Sequence, residues 1–551
     1  MQSNPCEEET SEQLRLSSID NALAVSPTKN ESRRRSMSKI LKSSGAMGAA
    51  TMLSRVLGMV REIIYARFMG TGWIADAFIF AFMVPNLFRR LLGEGALTAA
   101  FIPIFKEKEI KESEEEMWRA ANAVLSGLII AACAVIGVVM LGISVYLALG
   151  NPTGSSRLML ELMRFMFPYL LLVCVAAVFM GMLNARGHFF IPAMGATMLN
   201  VVMIGFTLWV APRMGAQLDQ QIFGLAIGVL VAGLAQMLFQ WPTLRAEGFR
   251  WKWVSPFGND TVKLVVERMI PGMLGVAAFQ LNIFFTQGIA KFYDDSILSS
   301  FNYGVRLMEL PQGVFGISIA TFLLPTLTQF VAEKKFPEFR STLREGMGLL
   351  IFVNGLAAVQ MMVLAEPIVR LLFEGGKFTE VSTFTSSRAV LGLAPGLVAF
   401  SMVNILARAF YATGDTKTPM HISIVCLVLN ILITLALIFR FRELGLGIAN
   451  SITATLNAGL LIYALRKRIG KLEWGELRGQ IFSTIGILLV AGVVSWFAAG
   501  WWTENIGHAN KLACLGEVFV PAILAGIVYF GLALWLRITA AQEIFRLVFR
   551  R

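Results

Sequence analysis

The sequence predicts an all-α polytopic membrane protein with fourteen transmembrane helices. Two six-helix lobes would be related by a pseudo-two-fold axis along the membrane normal, with two extra helices at the C-terminus. Three observations carry this. Of 551 residues 56% are hydrophobic and 15% charged, with a mean hydropathy of +0.66, more apolar than a soluble domain with a polar surface. Apolar stretches of roughly 20 residues, enough for an α-helix to cross about 30 Å of hydrocarbon, recur along nearly the whole chain. Motifs of the first half also return in the second. Helices satisfy their own backbone groups in lipid, and the alternation of a barrel strand is missing.

Residues 1–37 are polar, rich in Ser, Glu and Asn, and end in Arg33-Arg34-Arg35. They lack the apolar core and cleavage site of a secretory signal, so a disordered cytoplasmic tail with its basic end at the inner leaflet is expected. Spans 1 to 6 follow near 43–68, 73–93, 118–149, 158–183, 190–211 and 221–242, in an N-lobe over 38–260. Spans 7 to 12, near 263–290, 297–330, 345–373, 384–411, 419–439 and 445–465, make a C-lobe over 261–470. Spans 13 and 14, near 479–502 and 512–536, form a unit over 471–551 with a short cytoplasmic end. Loops after even-numbered spans hold about 19 Lys and Arg against about 7 after odd-numbered ones, which places both termini in the cytoplasm. The net charge of +12 is thereby read as topology rather than as a nucleic-acid surface.

Pro168, Ala185, Gly187 and Pro192 each find an identical residue 227 positions later, at Pro395, Ala412, Gly414 and Pro419, so NARGHFFIP answers YATGDTKTP. Each copy holds six spans, an even number. Both therefore enter the membrane in the same orientation, and two such lobes enclose a central cavity.

Charges within the spans mark that cavity, because a charge at depth requires a partner, water or a ligand. Span 1 carries Arg55, Arg61, Glu62 and Arg67; span 2 carries Asp76 and Arg89-Arg90 on either side of Pro85; span 8 carries Arg306 and Glu309 one turn apart. The balance is cationic. Arg67 and Arg90, near helix ends, can snorkel to headgroups. Arg55, Arg61 and Arg306 lie too deep for that and are expected to line the cavity, where planar guanidinium groups suit a phosphate or pyrophosphate. Cys6, Cys133, Cys174, Cys426 and Cys514 are scattered and read as buried small residues. With three isolated histidines they suggest no metal centre, and no catalytic group stands out.

The run SRVLGMVREIIYARFMGTGWIADAFIFAFMVPNLFRRLLGEGALTAAFIPIF from Ser54, with RLMELPQGVFGISIATFLLPTL from Arg306 and RAFYATGDTKTP from Arg408, closely resembles the MurJ (MviN) lipid II flippases. That family belongs to the multidrug/oligosaccharidyl-lipid/polysaccharide exporter superfamily. The resemblance runs from about residue 38 to the C-terminus. It implies a transporter rather than an enzyme, with lipid II (undecaprenyl-pyrophosphate-linked disaccharide-pentapeptide) as substrate. It also implies alternating access, an inner-membrane location, and a groove for the polyprenyl tail along spans 13 and 14. Family arginines fall on Arg55, Arg61, Arg89 and Arg306 as headgroup-binding residues, and a family acid falls on Asp76. Arg89 is singled out by the resemblance and not by depth, and Glu94 in GEGA also matches a family position. Glu62 stands where many relatives have Asp, so a gating contact among Arg61, Glu62 and Arg306 would have altered geometry; Glu309 is a further gating candidate. Some members are thought to bind sodium through an acid in span 7, yet FQLNIFFTQGIA offers none. No cofactor is expected; dependence on membrane potential or a monovalent cation stays open. Membrane lipids and cell-wall synthesis proteins are candidate partners, nucleic acid is not.

Two rivals share the superfamily. A drug/cation antiporter would favour acids and aromatics over an arginine cluster, and a flippase for another polyprenyl-linked saccharide is separated from lipid II by the family motifs alone. A membrane glycosyltransferase would need a catalytic or nucleotide site that none of the loops is long enough to hold.

Overall fold

The computed structural model describes residues 50–92, 96–470 and 475–549. The N-terminal tail, Cys6 and Glu94 lie outside the described residues. The chain folds into helices α1 (50–69), α2 (Trp73–Leu92), α3 (Ala96–Lys111), α4 (Glu114–Leu149), α5 (Gly154–Met166), α6 (Tyr169–Ala185), α7 (Phe190–Arg213), α8 (Leu218–Ala246) and α9 (Asp260–Tyr293). It continues with α10 (Ile297–Ala332), α11 (Phe336–Val363), α12 (Ala365–Phe373), α13 (Glu380–Ala412), α14 (Lys417–Phe441), α15 (Glu443–Ile469), α16 (Gly475–Asn505), α17 (Lys511–Trp535) and α18 (Thr539–Phe549).

Among the described residues ten helices are long and apolar enough to cross a membrane, and eleven if α5 and α6, bent by 42°, are one span. The other three expected spans fall on α1, α2 and α9. All three are helices diluted by polar residues: the arginines and acids of α1 and α2, and Gln280, Asn282 and Gln287 of α9. Outward faces elsewhere are apolar, as at Val138, Leu141 and Leu149 of α4, or Phe482, Leu489 and Phe497 of α16. Cys133 of α4 is exposed instead of buried, whereas Cys174 and Cys426 are buried.

The sequence repeat is a structural one. Pro168 sits at the α5–α6 bend and Pro395 in a 3₁₀ turn, Ala394–Gly396, that interrupts α13. Gly187 and Gly414 follow α6 and α13 with φ of +87° and +75°, a left-handed conformation that favours glycine. In both copies the next residue's N–H reaches back to the helix, from His188 to Leu183 and from Asp415 to Phe410, at 2.9 and 3.0 Å. In both copies, too, this corner is tied to the end of the sixth span. Arg186 and His188 each bond Glu247 at 2.8 Å in the first half, while Arg468 bonds Asp415 in the second, with the charges exchanged.

Helices α2 to α8 pack mainly on one another, as do α10 to α15. The exception is α9, which packs on α2, α3 and α4 of the first half as well as on α14 of the second. The α16–α17 pair lies against α11 and α12, with Tyr529 donating to the Phe352 carbonyl at 2.8 Å. Arg370 of α12 reaches the buried Glu517 of α17 at 3.2 Å.

Candidate functional site

Short polar segments fasten the two halves at the end of the bundle opposite the basic loops. The Tyr303 hydroxyl donates to the Gly70 carbonyl, the Gly72 N–H to the Ser299 hydroxyl, and the Thr71 and Ser382 hydroxyls lie 2.7 Å apart. The Lys377 N–H donates to the Arg67 carbonyl at 2.9 Å; there Gly70 and Gly376 have φ of +63° and +59°, and a Cβ on either would meet the opposing carbonyl oxygen at 2.3 Å. Only a bare backbone permits that approach.

Asp76 belongs to this closure. It is fully buried, and its carboxylate accepts the N–H groups of Ser296 (3.0 Å) and Ser299 (2.8 Å) at the start of α10. Ser296, at φ of +113°, provides no side-chain cap of its own. A carboxylate of α2 thus supplies the N-cap of a helix more than 200 residues away, where the helix dipole also favours negative charge.

Beyond this closure the halves part around a cavity of about 450 Å³, lined along α2 as far as Arg90, along α13 to Asn404 and along α14 to Ser423. One wall carries the charges. Arg61 of α1 donates to Glu62 at 2.5 Å, Arg306 of α10 lies 3.5 Å from the same carboxylate oxygen, and Arg306 also donates to Glu309 at 2.8 Å. The Arg61 guanidinium sits 5.4 Å from the centre of the Tyr65 ring. The buried Nε of Arg61 has no hydrogen-bond partner among the described residues, and that of Arg306 is the atom 3.5 Å from Glu62, too poorly placed to count as a hydrogen bond. Three guanidinium groups (Arg61, Arg90, Arg306) and two carboxylates (Glu62, Glu309) line the cavity. Among the described lining residues the balance is therefore cationic by one charge, and the arginines of α1 and α10 are paired with acids. Glu62 bridges two of them because helical periodicity brings Glu62 and Arg61 beside the one face of α10 that holds both Arg306 and Glu309.

The four arginines expected to hold a headgroup are not all brought together. Arg61 and Arg306 line the cavity; Arg55 and Arg89 do not. The Arg55 guanidinium lies against Gly313, in the π-helical segment Gln312–Ile317 of α10, so closely that a Cβ there would collide with it. Arg89 donates to Asn86, at 2.9 Å, while its neighbour Arg90 lines the cavity and donates to Gln280 at 3.3 Å.

The rest of the lining includes uncharged polar groups that the sequence did not single out. Gln280, Asn282 and Gln287 of α9, Asn404 of α13, Asn430 of α14, and Asn450 and Asn457 of α15 all line the cavity. Their signal is present in the sequence: Asn450, Thr453 and Asn457 recur at helical spacing on one face of an otherwise apolar span. In the region where a span-7 acid was looked for, Thr286 donates to Asn430 at 2.8 Å and Asn430 to Thr453 at 3.3 Å, a chain of neutral groups. Among the described residues no cluster of His, Cys, Asp and Glu has metal-ligand geometry.

A bundle of long apolar helices, built from two repeated halves that are fastened at one end around a mid-depth polar cavity, is a multi-pass membrane transporter. The family model described as lipid II flippase MurJ matches residues 65–513. The "Probable lipid II flippase MurJ" of Vibrio cholerae is 34% identical over 447 residues, covering 78% of this chain and 83% of that protein. The "Lipid II flippase MurJ" of Burkholderia cenocepacia is 31% identical over 497 residues, covering 88% and 95%. The chain belongs to the lipid II flippase MurJ family. Among solved structures, one described as "Lipid II flippase MurJ, inward closed conformation" has a TM-score of 0.72 at 21% identity, covering 89% of this chain and 98% of its own. An inward-facing multidrug resistance MATE family transporter of the MOP superfamily shares the fold, with a TM-score of 0.61 at 14% identity, covering 78% and 98%.

Proposed function

We propose that the chain carries lipid II from the inner to the outer leaflet of the bacterial cytoplasmic membrane by alternating access, through fourteen spans with both termini cytoplasmic. The observation that carries this reading is the Arg61–Glu62–Arg306–Glu309 cluster, set in a cavity that the Asp76 closure seals from one end. Basic loops face the cytoplasm in a membrane protein, so the sealed end is periplasmic and the cavity receives substrate from inside. A diphosphate competes with Glu62 and Glu309 for the guanidinium groups, and the two buried Nε–H groups become its donors. Binding shifts the equilibrium only through its different affinity for the two conformations, and displacement of the carboxylates supplies that difference. The polyprenyl tail stays in lipid, against the exposed apolar residues of α16 and α17. An inward-negative potential adds roughly 2 kcal/mol per elementary charge per 100 mV to outward movement of the anion. No cofactor takes part in this scheme, and a monovalent cation is a second source of drive.

The test is charge reversal, Arg61→Glu and Arg306→Glu, in a vesicle assay of lipid II flipping. Losing two charge-assisted hydrogen bonds, together at least about 3 kcal/mol, lowers the rate by on the order of 100-fold or more while folded protein stays in the membrane. Full activity in either folded variant would reject the phosphate clamp.

A further inference from the structure

The segment that joins the two halves, residues 247–259 between α8 and α9, is fixed to α4 through its backbone and turns several large side chains outward. The buried Asn122 of α4 donates to the Arg250 carbonyl at 3.0 Å and accepts the Lys252 N–H at 3.3 Å; one turn on, the buried Ser126 hydroxyl accepts the Val254 N–H at 3.5 Å. Phe249 plugs the segment into the core, its ring 5.5 Å from Trp118 and 6.0 Å from Trp241. Arg250, Trp251, Lys252 and Trp253 follow, all exposed. The two indoles lie edge to face, 6.4 Å apart. Neither indole N–H has a hydrogen-bond partner among the described residues, and neither Arg250 nor Lys252 has an acid there. Between Arg245 and Lys263 four bases face two acids, and one of these, Glu247, is already bonded to Arg186 and His188.

The depth of this segment follows from α4. Beyond Arg119 the helix carries no charge, and its first exposed residue after that arginine is Ala131. From Ala131 to Leu149 it rises about 28 Å at 1.5 Å per residue, close to the ~30 Å thickness of the hydrocarbon core. Ser126 and Asn122 then lie roughly 8 and 14 Å short of the hydrocarbon, on either side of the outer edge of a headgroup layer about 5–7 Å thick. Side chains as long as Arg, Lys and Trp reach into that layer from a backbone held there. Tryptophan settles at this level, because its ring is apolar and its N–H needs a polar partner.

We propose that the linker between the halves is a binding site for an anionic phospholipid of the adjoining leaflet, with Arg250 and Lys252 on the headgroup phosphate and Trp251 and Trp253 seated beside it. A phosphodiester is an acceptor only, and the side chains offered here are donors: a guanidinium, an ammonium and two unspent indole N–H groups. An acidic soluble protein would also suit the charge. The depth along α4 favours lipid, because a protein partner would have to enter the headgroup layer to meet the indoles. The inference concerns a lipid that is not transported, and it stands whether or not lipid II is the substrate. Since the segment is bonded to α4 and runs directly into α9, a headgroup held here fixes the depth of the junction between the two halves.

The test is photo-crosslinking of the full-length protein in phosphatidylcholine nanodiscs. They are doped with a trace of phosphatidylglycerol or of phosphatidylcholine that carries a photoreactive group beside its phosphate, and the labelled peptides are found by mass spectrometry. Phosphatidylglycerol should label residues 245–263 well above phosphatidylcholine. Each base beside an anionic headgroup strengthens the association roughly fivefold, so Arg250→Gln/Lys252→Gln should lower the phosphatidylglycerol labelling by on the order of 25-fold, while Arg250→Lys retains it. Trp251→Ala/Trp253→Ala should lower labelling by both lipids, because the rings set depth and not charge. In the unsubstituted protein, salt at about 1 M shortens the Debye length to about 3 Å and should erase the preference without any change of sequence. The proposal is overturned by equal labelling from the two lipids, by no labelling of the segment, or by a preference that survives both the glutamine substitutions and the salt. Unchanged labelling in the tryptophan variant overturns it too, as does displacement of the phosphatidylglycerol probe by less lipid II than unlabelled phosphatidylglycerol, which would make the segment a substrate site.

Discussion

Asp76→Ala should open the sealed end of the transporter. The carboxylate accepts two backbone N–H groups, from Ser296 and Ser299, and both bonds join α2 to α10 across the two halves. Once the halves separate there, water can solvate the same N–H groups, so the contact contributes only to the sealed conformation. Loss of an N-cap costs about 0.5–2 kcal/mol, and a negative charge at a helix N-terminus in a partly buried setting contributes up to ~2 kcal/mol. Taking about 2 kcal/mol for the pair, the equilibrium between sealed and open conformations shifts by roughly 30-fold. Asp76→Asn retains one acceptor and should give an intermediate shift. Spin labels at Thr153 and Val381, exposed at the sealed end on opposite halves, would report the change as a growing long-distance population in pulsed EPR. A distance distribution identical to that of the unsubstituted protein, in a folded Asp76→Ala variant, would refute the idea that this trans-supplied cap holds the halves together.

Two other substitutions probe different parts of the fold. Arg370→Ala strands Glu517, which is only 2% exposed and otherwise bonded to Thr503, and should cost about 3 kcal/mol; thermal unfolding in detergent should show it, with Arg370→Ala/Glu517→Ala recovering most of the loss. An unchanged midpoint in the single variant would remove the Arg370–Glu517 pair as the fastening of α17 to the core. The corners at Gly187 and Gly414 give a pH dependence. Hydrogen bonds from Arg186 and then His188 hold the Glu247 carboxyl below its ordinary value; at Asp415 partial burial pushes upward, but bonds from Thr418 and the charge of Arg468 more than offset it. Both folded-state values lie below the unfolded ones, so their contribution is complete above the ordinary carboxylate range, about pH 4, and is lost as the pH falls through the lower folded values. Glu247→Gln and Asp415→Asn should flatten the decline of thermal stability in that acid range; a decline as steep as the unsubstituted protein's would show that these corners do not contribute to it.

Much of this protein was legible in the chain itself. Span length follows from the rise of a helix and the thickness of hydrocarbon, both local quantities, so apolar runs mark the helices directly. The corners at Gly187 and Gly414 were visible because a left-handed residue after a helix leaves a glycine in the sequence of each copy. The depth of Arg61 and Arg306 followed from their place within their spans. Tertiary structure decided which of these residues meet. Arg89 and Arg90 are adjacent in sequence, yet only Arg90 enters the cavity, because successive helical residues point about 100° apart and the orientation of α2 is set by its packing on α5 and α9. Asp76 reads locally as an acid near a helix end; its work as the cap of α10 exists only because folding brings together segments more than 200 residues apart. The amides of the cavity are less conspicuous than the charges, since a neutral side chain in a span can meet part of its hydrogen-bonding need within its own helix, as Asn404 and Asn450 do. Their place in one cavity exists only because α9, α13, α14 and α15 converge there.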